Sequence, residues 1–281
     1  MTVAPPPSPR RAANDADALA LLFAELAVAA GARVMDVFAR ERLDVRYKND
    51  ASPVSEADEA AEAFLLETLA RRLPGVPAVA EEAAARGEVF DPGDAFLLID
   101  PLDGTREFVA HGVEFAVNIA FVADGAPRAG AIYAPAMGRL WFGGAQAFAA
   151  SIAPGAPLPQ PALWRRLATR RRPAAGLAAL VSKTHLDPAT QAFLRRPDIK
   201  ESRPMASSIK FGLLAEGEAD VYPRFGPTME WDVAAGHAIL AAAGGAVLDP
   251  HGRPLRYGKA AQGFRNGPFV AWADPGSATL P

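Results

Sequence analysis

The chain contains no cysteine. That excludes disulfides, thiolate metal sites and cysteine nucleophiles, and it suits a reducing compartment such as the cytoplasm. Histidine is scarce: His111, His185, His237 and His251 are the whole set, and they stand at no metal-binding spacing, so a zinc site is not expected. A basic stripe is also lacking. The formal net charge is −3 over 281 residues, which argues against a nucleic-acid polymer as partner, because a phosphate backbone is met by clustered Lys and Arg. The one dense basic group, Arg165-Arg166 with Arg170-Arg171-Arg172, lies in an Ala/Pro-rich stretch and reads as solvated. An unbroken apolar run of about 18 residues, the length that reads as a membrane span, is missing too. Glu25 interrupts the Ala/Leu-rich segment near the N-terminus, so neither a secretory signal nor a transmembrane helix is expected. Peripheral association with the inner membrane is left open, and no internal repeat is present.

What is there is ordinary for a globular protein: 50% hydrophobic and 22% charged residues, long enough for one large domain or two fused lobes. Pro-rich residues 1–14 read as a disordered tail. An α+β lobe is expected over 15–145. Within it, a helix over 15–40 carries Leu19, Leu22, Phe23, Leu26 and Ala30 on one face, and a second helix runs from Glu56 to Leu73. Strands at 116–122, 129–133 and 139–142, separated by Asp124-Gly125 and Met137-Gly138, read as an antiparallel meander. Residues 146–175 are expected to be a connection. Strands and helices alternate over 176–281, which implies an α/β lobe.

The most informative local feature is Asp100-Pro101-Leu102-Asp103-Gly104-Thr105 after the apolar run Ala95-Phe96-Leu97-Leu98-Ile99. Two carboxylates emerge where a buried strand ends; Pro101 stiffens the link and Gly104 lets the backbone turn. Crowded carboxylates repel unless a cation lies between them, and a hard divalent ion such as Mg²⁺ suits oxygen ligands. Glu81 follows another short apolar strand, and Asp232 opens the segment Trp231-Asp232-Val233-Ala234-Ala235-Gly236. Each acid has a plainer reading alone. Glu81 fits a solvated loop, Asp232 complements the positive end of a helix, and Asp58 caps a helix through Ser55-x-x-Asp58. Together they stand where α/β sites gather their ligands, at strand ends and helix starts.

These segments carry a resemblance. The strand with Asp-Pro-x-Asp-Gly-Thr, and Trp231-Asp232-x-Ala-Ala-Gly236 followed by Ala243-Gly244-Gly245, resemble the two signatures of the lithium-sensitive, Mg²⁺-dependent inositol monophosphatase superfamily. Within it the chain looks most like the bacterial 3'(2'),5'-bisphosphate nucleotidases. That likeness rests on Lys48 to Asp58, Thr105-Arg106-Glu107-Phe108, Glu114 to Ile119, Ser207-Ser208-Ile209-Lys210-Phe211 and Tyr222 to Thr228.

The resemblance implies an α/β fold, a layered α-β-α-β-α sandwich of the sugar-phosphatase type, with two or three Mg²⁺ ions. It implies metal ligation by Glu81, Asp100, Asp103 and Asp232 and by the Leu102 carbonyl. Thr105, held by Asp58, would with Glu81 orient and deprotonate the attacking water. The Gly104 and Thr105 amides would grip the scissile phosphate. His185, Ser207, Lys210, Arg224 and Asp232 would face the substrate, and Lys48 would support the loop around Asp50. Inositol phosphatases usually carry an acid where this chain has Arg224, and a guanidinium there suits a second phosphate. The implied substrate is a nucleotide bisphosphate, adenosine 3',5'-bisphosphate, with loss of its 3'-phosphate. The alternatives are an inositol, histidinol or other sugar phosphate, and an inactive regulatory relative. A homodimer is left open. Ala80 and Ala206 depart from the commoner Ser and Gly beside these motifs, which bears on loop geometry and substrate preference.

Overall fold

The computed structural model describes residues 15–40, 45–47, 53–88 and 90–278. The expected N-terminal tail and Lys48 with its loop lie outside them. Helix α1, Ala16–Phe38, opens where the Asp15 carboxylate accepts the Ala18 N–H at 3.0 Å. The face anticipated for it, from Leu19 to Ala30, is buried. By length and composition alone α1 could cross a membrane, but 61% of its most apolar window is packed inside the protein. It is a core helix here.

Strands β1, Val45–Tyr47, and β2, Pro53–Ser55, pair as a small antiparallel ribbon. It leads into α2, Glu56–Arg72, whose start is a reciprocal cap. The Ser55 hydroxyl accepts the Ala57 N–H, while Asp58 Oδ2 accepts the Ser55 N–H at 2.8 Å.

The larger sheet has seven strands in sequence order. They are β3, Ala78–Ala80; β4, Ala95–Asp103; β5, Ala116–Ala123; β6, Ala126–Ala134; β7, Arg139–Gly143; β8, Ala147–Ser151; and β9, Arg165–Arg166. β3 is parallel to β4 and the rest is the antiparallel meander. Two short helices border its first strands: α3, Glu81–Ala85, and α4, Thr105–Val109. The stretch expected as a plain connection, 146–175, therefore supplies β8 and β9 to this sheet. Its arginines are largely exposed, as expected, but three of them are paired with carboxylates. Arg165 pairs with Glu216 at 2.7 Å and Arg170 with Asp220 at 2.7 Å, both acids being almost fully buried. Arg172 meets Asp198 at 3.1 Å. A buried carboxylate needs a cation, and these arginines provide it.

The second sheet has the order β11-β10-β12-β16-β14. Its strands are β10, Leu177–Ser182; β11, Ile199–Met205; β12, Val221–Arg224; β14, Ala246–Leu248; and β16, Phe269–Trp272. β13, Thr228–Met229, and β15, Arg265–Asn266, form a separate pair. The helices of this half are α5, Pro188–Leu194; α6, Ile209–Ala215; and α7, Glu230–Ala242. β11 was not anticipated. It is an edge strand whose side chains, Lys200, Glu201 and Arg203 among them, are largely exposed, so no buried alternation marks it.

Successive residues of the larger sheet face opposite cores. Leu97, Ile99, Ile119 and Phe121 pack with α1 and α2, whereas Phe96, Leu98, Ala120 and Val122 pack with α6 and α7. Leu180, Tyr222, Val247 and Phe269 of the second sheet close that middle core. Its other face, with Ala179, Val221, Val270 and Trp272, meets Phe193 of α5. The result is the expected α-β-α-β-α sandwich. Close approach of α7 to the larger sheet depends on Gly130, where a Cβ would come within 2.7 Å of the Ala235 carbonyl oxygen.

Candidate active site

The layers meet at a cleft of about 320 Å³. One wall comes from the larger sheet: Glu81 at the start of α3, then Asp100, Leu102, Asp103, Gly104 and Thr105 where β4 passes into α4. The other comes from the second half: His185 after β10, Ser207 and Lys210 around the start of α6, Arg224 at the end of β12, and Asp232 in the first turn of α7. Every expected site residue among those described lines this cleft except Asp58, which stands behind Thr105.

The strand β4 does not stop at the first aspartate as its apolar run suggests. It pairs Asp100 with Asn118, then slips so that Asp103 faces Ala116. The irregularity swings the two carboxylates toward the same cavity, which regular alternation at a spacing of three would prevent. Asp100 Oδ1 accepts the Leu102 N–H at 3.1 Å and stiffens the turn. Gly104 follows at φ +96°, and a Cβ there would lie 2.9 Å from the Glu114 carbonyl oxygen. Glycine is required on both counts.

The acids perturb one another. Burial pushes the Asp100 carboxyl well above the usual range, and the neighbouring charges of Glu81, Asp103 and Asp232 push it further. Asp232 is likewise raised, first by burial and then by Asp103 and Glu81, against the opposing Met229 N–H at 2.8 Å and Arg224. Bringing negative charge together away from water is unfavourable unless a cation compensates. Among the described residues no three such side chains stand together as a group that could hold a metal ion by themselves. Mg²⁺ does not need one. It takes one or two carboxylates per ion and completes its octahedron with waters, carbonyls and substrate phosphate. An open, oxygen-only, strongly anionic wall fits that ion.

Thr105 is pinned from two sides. Its hydroxyl lies 3.0 Å from the Leu102 carbonyl and 3.3 Å from Asp58 Oδ1. Asp58 Oδ2 is taken by Ser55, whose hydroxyl donates at 2.7 Å. The acid read as a helix cap and the acid read as Thr105's partner are thus one carboxylate, each oxygen serving one task.

Two cations, Lys210 and Arg224, stand on the facing wall and a third, Arg106, on the same helix as Thr105, and no carboxylate pairs with any of them among the described residues. Lys210 is buried; its ammonium donates to the Met205 carbonyl at 3.1 Å and to the Ser207 carbonyl, and lies 4.9 Å from the Tyr222 ring. Desolvation pushes its pKa down to about 8, with Arg224 acting in the same direction. Arg224 donates to the carbonyls of His185 at 3.2 Å and Pro227 at 3.0 Å, leaving its buried Nε without a partner. Arg106, the third, contacts His185 Nε2 at 3.3 Å. Ser207, at φ +61°, exposes its carbonyl to Lys210.

Several contributors had been quoted in motifs but given no role. Ser208 donates its amide to Asp103 and its hydroxyl to Asn118 at 2.7 Å, and Asn118 lies 3.5 Å from the same Asp103 oxygen. This ties a carboxylate of the acidic wall to the opposite lobe. Thr228 lines the cleft with its buried hydroxyl unpartnered. Arg106 is a charge next to Thr105 in sequence; the others act through contacts between distant segments.

Comparison with known proteins gives the family. Residues 15–268 match the inositol monophosphatase family. The chain belongs to that family. It is 38% identical over 239 residues to the 3'(2'),5'-bisphosphate nucleotidase CysQ of Escherichia coli K12, covering 83% of this chain and 91% of that one. Its counterpart of that name in Buchnera aphidicola is 33% identical over 257 residues, covering 89% and 91%. The crystal structure of CysQ from Bacteroides thetaiotaomicron superposes with a TM-score of 0.76 at 33% identity, covering 91% of this chain and 97% of that one. An IMPase from Thermotoga maritima, 23% identical with a TM-score of 0.72 over 92% of each chain, shares the fold.

Proposed function

We propose that the protein is a Mg²⁺-dependent phosphomonoester hydrolase that removes the 3'-phosphate of adenosine 3',5'-bisphosphate. The carrying observation is the mixed charge of the cleft: four carboxylates, Glu81, Asp100, Asp103 and Asp232, gather in it beside three cations that have no carboxylate partner among the described residues. A single phosphate gives the acidic wall its task once divalent ions are present. It leaves Arg224, Lys210 and Arg106 with none, so the substrate carries a second anionic group. The similarity to proteins named bisphosphate nucleotidases supports the same reading.

In this reading Glu81, Asp100, Asp103, Asp232 and the Leu102 carbonyl hold two or three Mg²⁺ ions. Bound there, Mg²⁺ would supply Lewis-acid activation of the attacking water and charge neutralisation of the phosphate. The rest falls to the chain. Thr105 orients the water, and its proton passes toward Asp58 and Glu81. When the Leu102 carbonyl serves as a ligand, the Thr105 hydroxyl keeps Asp58 Oδ1 as its partner. The Gly104 and Thr105 amides hold the scissile phosphate, the new P–O bond forms in line as the bond to the ribose 3'-oxygen breaks, and that oxygen takes up a proton from solvent water. His185, Ser207, Lys210 and Arg224 hold the nucleotide. The cysteine-free chain suits the cytoplasm, its proposed location.

The test is phosphate release from adenosine 3',5'-bisphosphate, inositol 1-phosphate and fructose 1,6-bisphosphate, each with Mg²⁺ or EDTA. Strong Mg²⁺-dependent preference for the nucleotide is expected. Preference for a sugar phosphate would overturn the role of the cationic wall, and no release from any would favour a regulatory relative.

The lowered Lys210 pKa adds a pH signature. As pH rises through about 8 the free enzyme loses this cation, so kcat/KM for the bisphosphate nucleotide falls on the alkaline side. A Lys210→Met variant starts lower and lacks that limb. An alkaline limb that persists in the variant would assign it to another group.

A further inference from the structure

Arg106 stands at the exposed end of the cleft, one residue after Thr105, on a short helix of the larger-sheet lobe. Its guanidinium reaches across to the other lobe and contacts His185 Nε2 at 3.3 Å. An arginine only donates, so Nε2 is the acceptor and the ring proton lies on Nδ1, directed at the Thr184 hydroxyl 2.8 Å away. Partial desolvation, and then the charges of Arg224, Arg106 and Lys210, lower the pKa of this ring. All three cations thus lie close enough to one imidazole to be felt there, and the Arg224 guanidinium also binds the His185 carbonyl.

The acids nearest to Arg106 in the chain are committed elsewhere. Glu107 pairs with Lys183 at 3.0 Å, and Glu114 accepts the Ala206 amide at 3.0 Å while lying 3.7 Å from the same lysine. Arg106 is left with a neutral imidazole nitrogen, a weaker acceptor than a phosphate oxygen, for which a guanidinium fork is well shaped.

We infer that Arg106 is a specificity-determining residue that binds the non-scissile phosphate of the substrate together with Arg224 and Lys210. This rests on the reading of the site as one for a doubly phosphorylated nucleotide. Lys210 and Arg224 come from the C-terminal half and Arg106 from the segment that holds Thr105. The second phosphate therefore ties the two lobes together across the cleft, and it exchanges the Arg106–His185 contact for a charge-assisted one.

The experiment compares steady-state kinetics of the wild type, Arg106→Met and Arg106→Lys on adenosine 3',5'-bisphosphate and adenosine 3'-monophosphate. The two substrates share the scissile bond and differ by the second phosphate. In Arg106→Met the KM for the bisphosphate is expected to rise about tenfold or more relative to any change for the monophosphate, with most of the effect in KM rather than kcat. Arg106→Lys recovers part of the loss. Equal losses on both substrates, or none on either, would overturn the assignment. A wild type without preference for the bisphosphate would instead defeat the nucleotide reading itself, and this inference with it. The wild-type arm separates the two failures.

Discussion

Asp103→Asn is expected to fold normally and lose nearly all turnover. The side chain accepts the Ser208 amide, a bond that a carboxamide oxygen also accepts, so the link between lobes survives. What disappears is a negative charge in the wall read as the Mg²⁺ site. Losing one electrostatic contributor of this kind costs about 3 kcal/mol of transition-state stabilisation, roughly a hundredfold in rate, and more where a metal ion is lost with it. Stability should move the other way. The charge of Asp103 is among those that disfavour ionised Asp100 and Asp232, so with EDTA present the variant unfolds at the wild-type temperature or above it. Phosphate release and thermal unfolding, each with Mg²⁺ and with EDTA, give both readings. Full activity would remove Asp103 from the metal wall. A large fall in Tm would show that its contribution is structural.

Arg224→Glu should separate substrates most sharply. Arg224 is 8% exposed, its guanidinium bound only to backbone carbonyls and its Nε unsatisfied. Reversal replaces the attraction for a second phosphate by repulsion close to the acids that already crowd Asp232. For adenosine 3',5'-bisphosphate, kcat/KM is expected to fall by about a thousandfold, as when one partner of a buried charged pair is inverted. Inositol 1-phosphate, with one phosphate and several hydroxyls, should lose much less, since a carboxylate accepts hydrogen bonds from hydroxyls. Equal losses on both substrates would take Arg224 out of the specificity argument. Because burying a new carboxylate carries its own cost, Arg224→Met, measured alongside, distinguishes misfolding from a change in selectivity.

Much of the fold could be read from local pattern. The heptad-like face of α1, the capping box of α2, and the Asp124-Gly125 and Met137-Gly138 turns are signals within a few residues, and each element formed where they place it. β11 escaped because an exposed edge strand has no buried face to imprint on its sequence. β9, two arginines long, escaped because pairing with β8 defines it, not composition. The pairing of the arginines of 165–172 escaped for a similar reason: the partners, Glu216 and Asp220, lie about 50 residues away.

At the site, residue types at short spacing were legible. Asp-Pro-Leu-Asp-Gly-Thr shows two carboxylates, a constrained turn and a glycine whose positive φ the structure uses. Sequence alone thus determined which chemical groups are available, oxygen donors without thiols or paired histidines, and where the chain turns near them. Tertiary structure decided which groups meet. The slip between β4 and β5 turns both aspartates into one cavity. The packing of two sheets around α6 and α7 brings Asp232, Lys210 and Arg224 opposite them. The physical reason is range. Turn chemistry and capping act over a few residues, whereas mutual pKa shifts, unpaired buried cations and inter-lobe hydrogen bonds exist only once burial has removed water from between segments far apart in the chain.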